Sequence, residues 1–187
     1  MARIHHLLNK NIEQSRIARI ISKFLWTRSS SPPTMEPKEQ QGLKIKVAIQ
    51  ILKPANTVFE AIINPEKMTN YFISKSSGKM MEGKTLTWKF PEFETEFPIH
   101  VEKIEQDRYI SYHYETDGEK LLVEITLDPV EDDATVVTVT EKTREKDEAG
   151  IKWLAGNTAG WANFLACLKA YLEHEINLRK GAFTFLA

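Results

Sequence analysis

The chain of 187 residues has very little cysteine, Cys167 being the only one. A single thiol excludes an internal disulfide and any CxxC redox or zinc pair, and it accords with a reducing, cytoplasmic setting. No stretch approaches the roughly 18 apolar residues of a membrane-spanning helix, so no membrane span is expected. Net charge is also scarce: the formal value of −1 gives no global argument for nucleic acid or an anionic membrane. There is no Gly-rich phosphate loop and no RNA-binding signature, so no nucleic-acid partner is expected. What remains, 42% apolar and 27% charged residues, is the composition of an ordinary globular protein with enough chain for a real core.

Acidic residues are missing from one end only. Residues 1–34 hold Arg3, Lys10, Arg16, Arg19, Lys23 and Arg28 against a single acid, Glu13. Within them, "IEQSRIARIISKFLW" (12–26) places Ile17, Ile20, Ile21, Phe24 and Leu25 at helical spacing, followed by the Ser/Pro linker "TRSSSPPT". Three readings stay open: a surface or partner-binding helix, a transit-like presequence, or a translated upstream extension of a protein that begins at Met35. The expected division is therefore a basic extension with linker at 1–41 and a folded domain at 42–187.

From Leu43 the pattern changes. "LKIKVAIQI" (43–51) alternates apolar and polar positions with period two, the mark of a half-buried strand. "KPANTVFEAIINPEKMTNYF" (53–72) predicts two short helices broken at Pro65, with Thr57-x-x-Glu60 in capping-box form. Strand candidates then follow at 83–90, 94–106, 109–116, 119–130 and 134–143, with weaker pairing expected near 73–79. Their short connections require antiparallel neighbours. "NTAGWANFLACLKAYLEH" (157–174) predicts a long helix beginning near Asn157–Thr158, just after Gly156. Leu154, Trp161, Phe164, Leu165, Leu168, Leu172 and Ile176 gather on one side of it. One long helix cannot cover both faces of such a sheet, so an α+β fold is expected in which a curved antiparallel sheet wraps around the helix.

"PANTVFEAIINPEKM", the β run, and Gly160-Trp161-x-x-Phe164-Leu165-x-x-Leu168-Lys169 resemble the helix-grip superfamily of START and birch-pollen-allergen-like domains. More narrowly, residues 43–180 resemble bacterial proteins related to the C-terminal domain of the heat-shock protein 90 ATPase activator, a stress-response association. These motifs are fold signatures, not catalytic fingerprints. The resemblance implies a cavity between sheet and C-terminal helix that receives a small apolar molecule. The eukaryotic activator has a separate N-terminal domain, which residues 1–41 are too short to supply. The superfamily also holds cyclases, aromatases, lipid carriers and receptors, so the fold does not select one function.

Candidate ligand-binding residues are Trp88, Phe97, Tyr112 and Tyr114 from strands, and Trp161, Phe164, Leu165 and Leu168 from the helix. Each also suits an ordinary core. Tyr112 and Tyr114 share a strand face opposite His113. His113 and His100 stand alone, outside any ligand spacing, and read as structural; no metal and no cofactor are expected. Cys167 and His174 lie within about 20° on a helix but about 10 Å apart along it, out of reach as a nucleophile–base pair. Glu92, Glu94 and Glu96, and Glu131, Asp132 and Asp133, read as solvated acids. Three functions follow: a binder of a small hydrophobic molecule, a cyclase, aromatase or hydrolase relying on a buried group such as His113 or Glu96, or a protein-interaction module.

Overall fold

In the computed structural model the described residues are 42–116, 118–131 and 133–186. The expectations for residues 1–41 and for Asp132 lie outside them. The alternating stretch forms β1 (Leu43–Ile51), with Ile45 and Ile51 fully buried. Two helices follow, α1 (Ala55–Ile63) and α2 (Pro65–Met68). Then come β2 (Lys75–Ser76), β3 (Thr85–Lys89), β4 (Glu96–Glu105), β5 (Tyr109–Thr116), β6 (Glu119–Glu131) and β7 (Ala134–Arg144). Helix α3 (Glu148–His174) and a short 3₁₀ turn (Thr184–Leu186) close the chain. The strands make one curved, unclosed sheet in the order β1-β7-β6-β5-β4-β3-β2, with every neighbouring pair antiparallel. Among the described residues no helix is long and apolar enough to cross a membrane.

Two sequence expectations about helix ends are corrected. Thr57 does not open a capping box. Pro54 is the N-cap, its carbonyl accepting from the Thr57 and Val58 N–H groups at 3.0 and 3.2 Å, and Thr57 already lies inside α1. Glu60 turns outward to Lys79 at 3.1 Å. Helix α3 starts nine residues before Asn157. Asp147 caps it by accepting from the Gly150 N–H at 2.7 Å, and Glu148 complements the helix dipole in the first turn. Gly150 is required there, because a Cβ would fall 2.0 Å from the Glu145 carbonyl oxygen. The helix then runs unbroken through Gly156 and Gly160 and ends before Ile176, which is exposed.

Helix α3 lies chiefly against β1, at one end of the sheet order. Phe164, Leu165, Cys167 and Leu168 are buried there with Ile51, Phe59, Val123, Val137 and Val139. Fully burying each large side chain contributes about 1.5–3 kcal/mol. Polar ties fix the helix to the end of β1: Lys169 donates to the Gln50 carbonyl at 2.9 Å, and Glu173 accepts from the Leu52 N–H at 2.7 Å. Because the helix favours β1, it stands away from the concave faces of β3 and β4, where Trp88, Phe97 and Ile99 border a gap.

After α3 the chain reverses at Glu175, held in the left-handed region at φ 58°. The Asn177 side chain accepts from the Arg179 and Lys180 N–H groups, each at 3.0 Å. That turn carries the tail back towards the gap between helix and sheet.

Candidate functional site

The gap is a cavity of about 780 Å³. Its sheet wall is made by Trp88 of β3, Phe97 and Ile99 of β4, and Tyr112 and Tyr114 of β5. Register brings them together: Trp88 pairs with Phe97, and Ile99 with Tyr114. Apart from Trp161 and Asn157, the helix wall has the opposite character. Gly156, Ala159, Gly160 and Asn163 recur at helical spacing and all face the cavity. No atom lies within 4 Å of where a Cβ would stand at Gly156 or Gly160. Large rings on the strands facing small residues on the helix keep the space open. Phe93 and Phe97, 46% and 38% exposed, mark its open side.

One end holds an internal ion pair. Arg179 Nη2 lies 2.8 Å from Glu92 Oε2, and both side chains are largely buried. The guanidinium sits 5.2, 5.4 and 4.9 Å from the ring centroids of Phe72, Phe90 and Phe183, an aromatic seat for a cation. This overturns the reading of Glu92 as a solvated acid. Glu94 and Glu96 do remain at the surface, paired with Lys89 and Lys75.

The other end holds a carboxylate that sequence reasoning missed. Glu141 of β7 is fully buried. It accepts from Trp161 Nε1 at 2.6 Å, from Asn157 Nδ2 at 3.1 and 3.2 Å, and from the Tyr114 hydroxyl. Asn157 also donates to the Tyr114 oxygen at 2.9 Å. Trp161, Asn157 and Tyr114 line the cavity, so Glu141 stands one side chain behind its wall. Strand parity could have found it, since Val137 and Val139 point inward four and two residues earlier.

The electrostatics follow from this packing. Burial, then the Glu141 carboxylate, pushes Tyr114 ionisation far above the usual phenol range. Tyr112 is raised by burial and, secondarily, by the charge of Glu141. Burial also raises the Cys167 thiol. His113 faces away from the cavity, with Nδ1 2.6 Å from Glu102 Oε2. Burial lowers its pKa and the Glu102 charge opposes that shift. His100 is exposed, with Nδ1 3.0 Å from the Thr85 hydroxyl. Among the described residues no group of three or more His, Cys, Asp or Glu is placed to hold a metal.

A family model described as "Activator of Hsp90 ATPase homolog 1-like protein" matches residues 53–173. The chain belongs to the activator of Hsp90 ATPase homolog 1-like family. No curated protein matches the sequence. Protein SSP2350 from Staphylococcus saprophyticus is 35% identical, with a TM-score of 0.64, over 73% of this chain and 96% of that one. The Aha1 dimer from Colwellia psychrerythraea is 20% identical, with a TM-score of 0.61, over 71% and 97% of the two chains. CalU16 from Micromonospora echinospora is 18% identical, with a TM-score of 0.57, over 73% and 78%. The last two likenesses speak for the fold alone.

The activator-homologue match ends within the last turn of α3. The Tyr114–Glu141–Trp161 end of the cavity therefore lies inside the matched span, while Arg179 and Phe183 lie beyond it. Of the eight candidate residues, Trp88, Phe97, Tyr112, Tyr114 and Trp161 are brought together around the cavity in this family member. Phe164, Leu165 and Leu168 are not among the lining residues and are buried in the core. Glu96 and His113, the groups named for an enzyme, do not line it.

Proposed function

We propose that this family member binds a small hydrophobic molecule between its sheet and the C-terminal helix. The observation that carries the reading is the cavity itself, about 780 Å³ and walled mostly by rings and small aliphatic groups. Cavities of roughly 300–1,000 Å³ with few polar groups suit drug-sized ligands. Desolvating the ligand supplies affinity, and the polar ends supply orientation.

An enzyme reading has one observation in its favour, the hydrogen bond between Tyr114 and Glu141. Its chemistry argues against an acid–base pair. Tyr114 holds its proton far into the alkaline range, and the Glu141 oxygens already accept from three side chains. The direct experiment is native mass spectrometry of the protein purified from its own host, followed by denaturation and identification of any released molecule. A stoichiometric apolar compound is the expected result. An empty protein that also fails to take up a solvatochromic dye such as Nile red would end the binding reading.

A further inference from the structure

The two ends of the cavity differ in one respect. At the Arg179 end the protein supplies both charges: the guanidinium, the Glu92 carboxylate 2.8 Å away, and three rings around the cation, although the buried Arg179 Nε has no hydrogen-bond partner. At the opposite end it supplies a carboxylate, Glu141, together with the rings of Tyr112, Tyr114 and Trp161. The groups that donate to Glu141 there, Tyr114, Asn157 and Trp161, are all neutral. None of the ion pairs found among the described residues includes Glu141. Resting on the binding function proposed above, we infer that the ligand itself brings the missing cation. Its class is a lipophilic amine or quaternary ammonium, with an apolar body in the cavity and its charge against the Tyr114–Trp161 wall.

Three physical points support this assignment. Glu92 and Arg179 offset one another, so Glu141 leaves the surroundings of the cavity with one net negative charge. Arg179 is the only cationic side chain among the described lining residues, and its charge is already offset by Glu92, which leaves only its Nε–H without a partner. Aromatic faces add to the preference, because the ring quadrupole attracts a cation and repels an anion. Glu141 stands directly behind that wall, in hydrogen-bond contact with the lining side chains Tyr114, Asn157 and Trp161. A charge felt across one side chain in a partly desolvated site keeps enough strength for a preference of about tenfold or more.

The test uses three compounds of one shape: 1-naphthylmethylamine as the cation, 1-naphthalenemethanol as the neutral form and 1-naphthoate as the anion. Each is titrated calorimetrically into the full chain at pH 7. The cation is expected to bind at least about tenfold more tightly than the anion, with the alcohol between them. Glu141→Gln, checked for folding by near-ultraviolet circular dichroism, is expected to reduce that ratio to about threefold or less. The wild-type ratio is decisive if that variant does not fold. Binding of the alcohol with no advantage of amine over naphthoate overturns this inference and leaves the pocket reading standing. A cation preference that persists in folded Glu141→Gln also overturns it, while failure of all three to bind removes both.

Discussion

Gly156 and Gly160 stand inside a helix of 27 residues, where glycine is a poor choice. Each is less favourable than alanine in a helix interior by about 0.8–1 kcal/mol. Neither position is tight, since no atom lies within 4 Å of where a Cβ would stand. Gly156→Ala/Gly160→Ala should therefore stabilise the protein by about 2 kcal/mol and raise Tm by about 4–8 °C. Two methyl groups take little of a cavity of about 780 Å³, so Nile red binding should persist. Gly160→Leu is the informative contrast. It keeps the helical gain but drives a branched side chain into the cavity, so dye affinity should fall by about tenfold or more while Tm stays at or above wild type. Calorimetric melting and a dye titration on the same samples read both quantities. A lower Tm for the double alanine variant would show that the glycines serve close packing. Unchanged dye binding in Gly160→Leu would show that the dye sits elsewhere. If both expectations hold, the space depends on small side chains at these positions, and glycine gives up helix stability that alanine would recover.

Other perturbations address the polar ends. Glu141→Ala strands the Tyr114, Asn157 and Trp161 donors, and should destabilise by about 3 kcal/mol or more in urea unfolding; a loss below about 1 kcal/mol would contradict the network. Arg179→Met leaves the buried Glu92 charge unpaired, a loss of about 3–5 kcal/mol unless the tail releases it to water. Faster hydrogen exchange in residues 176–186 would report that release, and Glu92→Gln/Arg179→Met should recover most of the loss. If the two losses simply add, the pair is not coupled. Tyr71, Tyr112 and Tyr114 have folded pKa values raised mainly by burial. Their contribution to stability is fully present below the unfolded phenol value of about 10 and is lost as pH rises from there through the folded values. In an absorbance titration these three should stay silent until the protein unfolds; ionisation of all five tyrosines near pH 10 with tertiary structure intact would refute that.

The strands were legible because alternation over β1, β6 and β7 directly records one buried and one more exposed face. Tyr112 and Tyr114 follow Ile110 on the inward parity, and the structure places all three on the concave side. Position 156 misled because glycine ordinarily punctuates a helix, whereas this helix draws on tertiary packing at Trp153 and Phe164 to run through it. Thr57 had the right spacing for a cap, but Pro54 fixes the chain direction three residues earlier. Glu92 could not be read from its neighbours. It looks like one of three alternating acids, and the partner that buries it, Arg179, lies 87 residues further along. Glu141 was readable by parity with Val137 and Val139, but its charge suggested solvent.

The position of β1 at the edge of the sheet, beside β7, also sets a schedule. Strands β3 to β7 can zip together hairpin by hairpin, each closing a short loop. β1 is different: Ile51 meets Thr135, 84 residues later in the chain. The entropy of closing so long a loop must be met before that pairing returns anything, which makes it a slow, non-local event. Helix α3 rests chiefly on β1, so it has no complete seat until the two ends of the sheet's sequence meet. The first strand to be synthesised thus waits for the last. The enclosed space, walled by α3 and the tail beyond it, takes shape only as that wait ends.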